Sequence, residues 1–189
     1  MVRFYLIITI AVLIFLFIAV TYLFKNYTKC PPGHVLIIFN NKTDIYGNNL
    51  KFVFSGGAFV LPIFGSYQLF NLAPWPTEIN MEKLATSDQH IVHIILKINV
   101  AISNQEIHLR NAAERLSGLS QEQIKTLAAD LISGQIRYFF LNMKSLELKQ
   151  TTEFRTKISE QIENELNKIG LILISTDIKH LEIQNFKNN

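Results

Sequence analysis

Residues 91–103 read IVHIILKINVAIS, and their apolar side chains recur at every second position. The apolar set is Val92, Ile94, Leu96, Ile98, Val100 and Ile102. His93, Lys97 and Asn99 lie between them. Because successive side chains of a β-strand point to opposite faces, this alternation predicts a strand with one apolar face and one polar face.

Shorter strands are predicted on the N-terminal side of this stretch. HVLIIFN at residues 34–40 is apolar and rich in β-branched residues, and it follows Pro-Pro-Gly at residues 31–33. LKFVF at residues 50–54 follows a predicted turn at residues 47–49. Apolar runs bounded by Gly, Pro and Asn are typical of strands joined by turns.

The pattern becomes helical on the C-terminal side of the long strand. Residues 105–116 predict a short helix that ends at Gly118. Ser120 and Gln123 have the spacing of a capping box, so they predict the start of a longer helix that runs toward Asn142.

A third helix is predicted from an apolar stripe with a spacing of three or four residues. The stripe consists of Phe154, Ile158, Ile162, Leu166 and Ile169. Gly170 is typical of a helix end, and residues 171–183 return to a strand pattern. Strands, then helices, then a returning strand predict an α+β domain, in which helices cover one face of a mostly antiparallel sheet.

The N-terminal segment predicts a membrane anchor. Residues 4–24 contain no charged side chain, and 15 of these 21 residues are Leu, Ile, Val or Phe. A helix from Phe4 through Leu13 to Phe24 is about 31 Å long, which matches the hydrocarbon thickness of a bilayer. The alternative is a cleaved secretory signal, but the apolar run is too long and no small-residue cleavage site follows it. We therefore predict a retained single-pass anchor with its juxtamembrane segment at residues 1–29.

The formal net charge of +3 lies entirely beside this anchor. The first 29 residues contain Arg3, Lys25 and Lys29 and no acidic residue, whereas the rest of the chain contains 15 basic and 15 acidic residues. A neutral remainder lacks the basic patch of a nucleic-acid-binding protein. Lys25, Lys29 and Lys42 follow the apolar run, so the positive-inside rule weakly favours a cytoplasmic C-terminal part.

Residues 55–72 read SGGAFVLPIFGSYQLFNL and contain a glycine pair before an apolar run. Gly56 and Gly57 lead into a β-like segment without the nearby basic residue of a phosphate loop, so Ser55, Gly56 and Gly57 together predict a turn between two strands. Pro62 places the apolar run at a sheet edge or a strand end. Two interpretations stay open for this run, a contact with the membrane interface or ordinary core packing. The residues concerned are Phe59, Val60, Leu61, Ile63 and Phe64.

Four segments of the chain resemble a known family when they are taken in order. They are KCPPGHVLII at residues 29–38, the stretch at residues 55–72, AAERLSGLSQEQIKTLAADLISGQIR at residues 112–137, and ELNKIGLILISTDIKHLEI at residues 165–183. Together they resemble the flotillins, a branch of the stomatin, prohibitin and flotillin (SPFH, band 7) group, in a prokaryotic form with an N-terminal anchor. The resemblance implies an SPFH-like domain at residues 30–184, followed by a short tail at residues 185–189.

The resemblance also implies a function. A flotillin-like protein is expected to self-associate at a plasma (inner) membrane and to organise lipids or proteins laterally. The alternatives are a regulatory module for a membrane protease, as other members of the group are, or a membrane-tethered interaction domain that does not assemble. The expected partners are therefore the bilayer, further copies of the chain and membrane proteins.

The chain departs from the family pattern in two places. Where flotillins often have Glu-Gly-His-x-Arg, residues 133–137 read SGQIR. A flotillin normally continues into a long coiled coil, whereas this sequence stops at Asn189 without heptads. The sequence therefore gives no expectation for the size of an assembly.

No catalytic chemistry is predicted from the polar residues. His90 and His93 are three residues apart on a strand, so they point to opposite faces and cannot bind one metal ion. His108 is expected on a solvated helix face between Glu106 and Arg110. We therefore predict no metal, no cofactor and no enzymatic activity.

Cys30 is the single cysteine, so an intrachain disulfide is impossible. It follows the apolar N-terminal run closely, which makes it a candidate for S-acylation. The alternative is a cysteine without any modification.

Overall fold

The computed structural model describes residues 2–40, 49–145 and 151–185. The chain forms two compact units, Met1–Phe70 and Asn71–Asn189. The first unit contains helix α1 (Val2–Lys25) and strands β1 (Tyr27–Cys30), β2 (His34–Asn40), β3 (Leu50–Val53), β4 (Gly56–Phe59) and β5 (Gly65–Asn71). The second contains β6 (Trp75–Ala85), β7 (His90–Ile102), α2 (Glu106–Arg115), α3 (Gln121–Leu141), α4 (Thr151–Lys168) and β8 (Leu171–Asn185).

The strands of the first unit form two small sheets. β1 and β4 pair antiparallel, with Tyr27 opposite Phe59 and Cys30 opposite Gly56. The second sheet has the order β3-β2-β5. Its central strand β2 is the run predicted at residues 34–40, and its buried side chains form part of the core of this unit.

The second unit contains an antiparallel sheet with the order β6-β7-β8. β7 is the predicted alternating strand, and all six of its predicted core residues are at most 5% exposed. β8 is the predicted returning strand, and it pairs with β7 along its length, from Ile102 opposite Leu171 to His90 opposite Asn185. A fully buried aliphatic side chain contributes about 1.5–3 kcal/mol, so the alternation on β7 is a major source of stability in this unit.

Helices α3 and α4 pack against each other and against strands β6 and β8. Four residues of the predicted α4 stripe are 0% exposed and Ile169 is 8% exposed. α3 contributes a parallel stripe with a four-residue spacing, made of Ile124, Ala128, Ile132, Ile136 and Phe140. The rings of Phe140 and Phe154, with centroids 5.8 Å apart, join the two helices. The predicted helices and their buried faces are therefore confirmed.

The helix ends follow the predicted signals. Ser120 accepts a hydrogen bond from the Gln123 backbone nitrogen at 3.3 Å, and the Gln123 side chain accepts one from the Ser120 backbone nitrogen at 2.8 Å. Gly170 ends α4 with a φ of +84°, a conformation that favours glycine. A Cβ at Gly170 would also collide with the backbone of α2 at His108 and Ala112, so this turn requires glycine for two reasons.

The turn between β6 and β7 is fastened to the segment that follows α3. Asp88 accepts hydrogen bonds from the Ser145 backbone nitrogen at 3.1 Å and from the Ser145 hydroxyl at 2.5 Å. It also accepts one from the Thr86 hydroxyl at 2.6 Å. These hydrogen bonds hold the pKa of the Asp88 carboxyl well below its usual range, and the bond from the Ser145 hydroxyl has the largest effect.

The predicted α+β class is confirmed, although the described strands form three sheets rather than one. The predicted domain boundaries at residues 29/30 and 184/185 stay predictions. Lys42, most of the predicted turn at residues 47–49 and residues 186–189 of the predicted tail lie outside the described residues.

Candidate membrane-facing site

Helix α1 is long and apolar enough to cross a bilayer, by length and composition. Its candidate span is Phe4–Lys25, and none of that segment is buried inside the protein. Phe4, Leu13 and Phe24 are 68%, 63% and 72% exposed. A core helix of similar composition would be mostly buried. The exposure of α1 therefore excludes the interpretation that it is the core helix of a globular domain.

The two threonines of α1 satisfy their hydroxyl groups within the helix. Thr9 donates to the carbonyl oxygen of Tyr5 at 2.5 Å, and Thr21 donates to that of Phe17 at 3.0 Å. Polar groups in the hydrocarbon region need internal partners because lipid chains offer none. Both threonines therefore suit a helix that is surrounded by lipid.

The end of α1 is fastened directly to the segment that follows β4. The Asn26 side chain donates to the carbonyl oxygen of Tyr22 at 2.8 Å, which closes the last turn of the helix. The Asn26 carbonyl oxygen accepts a hydrogen bond from the Val60 backbone nitrogen at 3.0 Å. Tyr27 lies opposite Phe59 with ring centroids 4.9 Å apart. The start of the 59–64 segment thus lies one strand spacing from the end of the candidate span.

Three side chains of that segment project outward, and we call Phe59, Ile63 and Phe64 the apolar tip. They are 58%, 72% and 59% exposed. The predicted location at a strand end is confirmed, because Pro62 lies in a turn between β4 and β5. Leu61 closes this turn by accepting hydrogen bonds from the backbone nitrogens of Phe64 at 2.9 Å and Gly65 at 3.2 Å.

Comparisons with known proteins agree with an anchored domain of this kind. The SPFH domain / Band 7 family model matches residues 28–188. The chain belongs to this family. It is 28% identical to the flotillin-like protein FloT of Bacillus subtilis (strain 168) over 93% of its own length and 36% of that protein. It is also 28% identical to the flotillin family inner membrane protein YqiK of Escherichia coli (strain K12), over 68% of its own length and 24% of that protein.

The chain therefore spans about a third of the length of FloT and about a quarter of that of YqiK. The match with the SPFH model begins at residue 28, directly after the candidate span. The prediction of a flotillin-like SPFH protein with an N-terminal apolar helix is confirmed.

Two candidate residues of this SPFH chain are buried in the structure. Val60 is 7% exposed and packs in a core cluster with Cys30, Leu36 and Ile38, which favours the core-packing interpretation for this residue. Cys30 is 6% exposed, and its thiol donates to the carbonyl oxygen of Val53 at 3.2 Å. S-acylation at Cys30 stays a prediction, and it would require the thiol to leave this core. Leu61 is half-buried, between the buried Val60 and the exposed side chains of the apolar tip.

The predicted turn of Ser55, Gly56 and Gly57 lies between strands β3 and β4 in the structure. The bend lies at Ser55, whereas Gly56 and Gly57 begin strand β4. A Cβ at Gly57 would approach the Thr28 carbonyl oxygen to 2.5 Å and the Tyr27 ring to 2.8 Å. Gly57 therefore lets the Tyr27 ring lie directly over β4, next to Phe59.

Basic side chains flank the junction between α1 and the apolar tip. Lys25 ends α1 and Lys29 lies on β1, and both are exposed. A lysine near an anionic membrane surface contributes about 1 kcal/mol of attraction. The junction therefore combines an apolar surface with positive charge, the combination that favours the headgroup region.

His90 and His93 lie in different surroundings, as the odd spacing on a strand predicts. His90 lies near Asp88 with a nitrogen–oxygen distance of 3.4 Å. His93 instead lies close to His180 and Glu182 on β8, a grouping that sequence spacing did not reveal. His108 is half-buried and bonds to the Ser103 hydroxyl at 3.1 Å, so its predicted solvated position is only partly correct.

Proposed function

We propose that this chain is a membrane-anchored flotillin-like scaffold, which self-associates and organises lipids or proteins laterally. α1 spans a bacterial plasma (inner) membrane, and the SPFH domain lies on its cytoplasmic side. In this role the chain acts as a scaffold rather than an enzyme, because it brings membrane components together without converting a substrate.

The observation that carries the proposal is the junction between α1 and the apolar tip. Backbone hydrogen bonds between Asn26 and Val60 and between β1 and β4 fix the tip beside the end of the span. If α1 crosses the bilayer, the tip must lie at the level of the headgroups. Two linked contacts with one membrane restrict the tilt of the first unit, because the second contact forms at a high effective concentration.

A fixed orientation favours lateral association. Copies that share one fixed orientation on the membrane lose less rotational freedom when they associate than copies that rotate freely. Independently of that orientation, the end of α3 in the second unit presents exposed apolar side chains, with Tyr138 at 61% and Leu141 at 57% exposure. We propose that this end of α3 faces a neighbouring copy.

The depth of the tip is tested with a single tryptophan in the full chain. Trp75 is the only native tryptophan, so Trp75→Phe removes the background signal. Phe64→Trp then reports on the tip, and Phe54→Trp is the matched control because Phe54 is 47% exposed and lies beyond the opposite end of β4. Lipids with brominated acyl chains should quench the tryptophan at position 64 strongly and that at position 54 weakly. Equal quenching at the two positions would contradict the proposed orientation.

Self-association is tested with an engineered thiol in membranes. Cys30 is buried, so Leu141→Cys adds an accessible cysteine, and Glu122→Cys near the start of α3 is the control. We expect a thiol crosslinker to produce dimers of the chain from position 141 and not from position 122. Crosslinks to a single foreign polypeptide would favour the alternative of a protease regulator.

A further inference from the structure

A cluster of two histidines and one glutamate lies on the sheet face of β6, β7 and β8 opposite to the buried alternating residues. His93 on β7 lies directly opposite Glu182 on β8. His180 lies two residues before Glu182, so both side chains project from the same face of β8. One ligand atom of each residue lies within 4.8 Å of the ligand atoms of the other two.

The backbone holds the three residues in place. β7 is the central strand, and it pairs with β6 on one side and β8 on the other. The His93 and His180 rings contact each other edge to face, with centroids 5.3 Å apart. A site built on paired strands is more rigid than one built on loops, because the ladder fixes the spacing of the Cα atoms.

A neighbouring residue orients the His93 ring. Its Nε2 lies 2.9 Å from the Oδ1 of Asn80 on β6. Oδ1 can only accept a hydrogen bond, so Nε2 carries the hydrogen and Nδ1 keeps a free lone pair. Histidines that bind metals usually donate their other ring N–H to such an acceptor, which fixes the tautomer that the metal needs.

The carboxylate of Glu182 is oriented in a similar way. The Gln184 side chain donates to Oε1 at 3.0 Å, while Oε2 lies 3.6 Å from Nε2 of His180. These two contacts fix the orientation of the carboxylate beside the His180 ring.

The donor set indicates which ions fit. Two imidazole nitrogens and one carboxylate oxygen suit zinc and similar transition metals, whereas calcium and magnesium prefer oxygen ligands alone. Ligands about 2.0–2.1 Å from a tetrahedral zinc lie about 3.3 Å apart, so ligand atoms that are within 4.8 Å of one another need to approach by at most about 1.5 Å. His180 and Glu182 are exposed, and their side chains can make that movement without disturbing the core.

We propose that His93, His180 and Glu182 form a binding site for a divalent transition metal ion of the zinc class. Asn80 and Gln184 position two of the ligands, and water completes the coordination. This site is separate from the membrane contact of the first unit and does not depend on the scaffold function.

The test uses the full chain in lipid nanodiscs after removal of metals with a chelator. Zn²⁺ is titrated in competition with a chromophoric chelator, and one ion per chain is expected. His93→Ala, His180→Ala and Glu182→Gln should each weaken binding at least tenfold, and Asn80→Ala should weaken it about 10–100-fold although it keeps all three ligands. His34→Ala is the control and should leave the affinity unchanged.

A second measurement separates metal binding from a folding defect. Without metal, the circular dichroism spectra and unfolding midpoints of His180→Ala and Glu182→Gln should match those of the parent chain, because both side chains are exposed. Added Zn²⁺ should raise the midpoint of the parent and leave that of His180→Ala unchanged. Absence of one-to-one binding by the parent, or equal affinity in the parent and His180→Ala, would overturn the proposal.

Discussion

Replacing both phenylalanines of the apolar tip with aspartate should lift the tip from the membrane. Phe59 and Phe64 are 58% and 59% exposed. A phenylalanine offers roughly 200 Å² of surface, so each ring presents about 120 Å² to its surroundings. At about 25 cal/mol per Å², complete transfer to hydrocarbon would contribute about 3 kcal/mol per ring, and half immersion of both rings about 3 kcal/mol in total.

That energy favours the state in which the tip contacts the membrane over the state in which it does not, with a population ratio above about 100. The double variant Phe59→Asp and Phe64→Asp removes the whole contribution and adds two charges that disfavour the bilayer. We therefore expect the state without membrane contact of the tip to predominate in the variant. The fold should persist, because both side chains project from the surface and the Asn26–Val60 bond uses only backbone atoms.

The assay places a reporter between the two substitutions. Ile63→Trp, combined with Trp75→Phe, is reconstituted in vesicles with brominated acyl chains. The replacement of Trp75 should be mild, because its buried indole nitrogen has no hydrogen-bond partner among the described residues. Quenching should be strong in the parent and weak in the double variant, and Phe54→Asp should leave it strong. Undiminished quenching in the double variant would refute the view that the tip contacts the membrane.

Three further substitutions test the fold of the second unit by denaturant unfolding, followed by circular dichroism. Phe154→Ala should cost about 3–5 kcal/mol of unfolding free energy because the ring is fully buried between helices, while Tyr138→Ala at the surface should cost far less. Ser120→Ala should cost about 1 kcal/mol through loss of the capping box, and an unchanged stability would contradict that role. Asp88 has a folded pKa below its unfolded value, so its stabilisation is present above about pH 4 and lost as the pH falls further. The denaturant concentration at the unfolding midpoint should therefore decrease when the pH is lowered below about 4. This decrease should be smaller in Asp88→Asn.

Periodicity allowed the second unit to be predicted well. The alternation on β7 and the stripe on α4 each indicated which face is buried, and both faces are buried in the structure. The capping box at Ser120 and the glycine at Gly170 located helix ends because each signal acts within a few residues. Local signals of this kind need no knowledge of the partner element.

The two candidate sites depend on strand register, which a single sequence does not specify. Val60 and Phe59 are neighbours in an apolar run, yet one lies in the core and the other at the surface. The pairing of β4 with β1 decides that difference, since a shift of one residue would exchange the two faces. The same reasoning applies to Cys30, because its burial comes from contacts with β2 and Val60 that the sequence does not specify.

The histidine cluster was missed for a related reason. His93 and Glu182 are opposite each other only because β8 returns antiparallel along β7 in one register. That register shifts between Ile95 and Leu96, so even a correct pairing of the two strands would not have located His180 by counting. A histidine followed two residues later by a glutamate on a predicted strand was the available signal, and it carries little information without the partner strand.

The geometry of the apolar tip is independent of the side chains that would contact lipid. Gly57 lacks the Cβ that would displace the Tyr27 ring, and the ladder between β1 and β4 continues to Phe59, the first residue of the tip. The position of the tip relative to α1 is therefore set by backbone bonds and by one small residue. Changes at Phe59, Ile63 or Phe64 should alter membrane affinity without moving the turn, whereas a side chain at Gly57 should move the turn while leaving all three apolar residues present. The two kinds of variant separate the placement of the tip from its attraction to lipid.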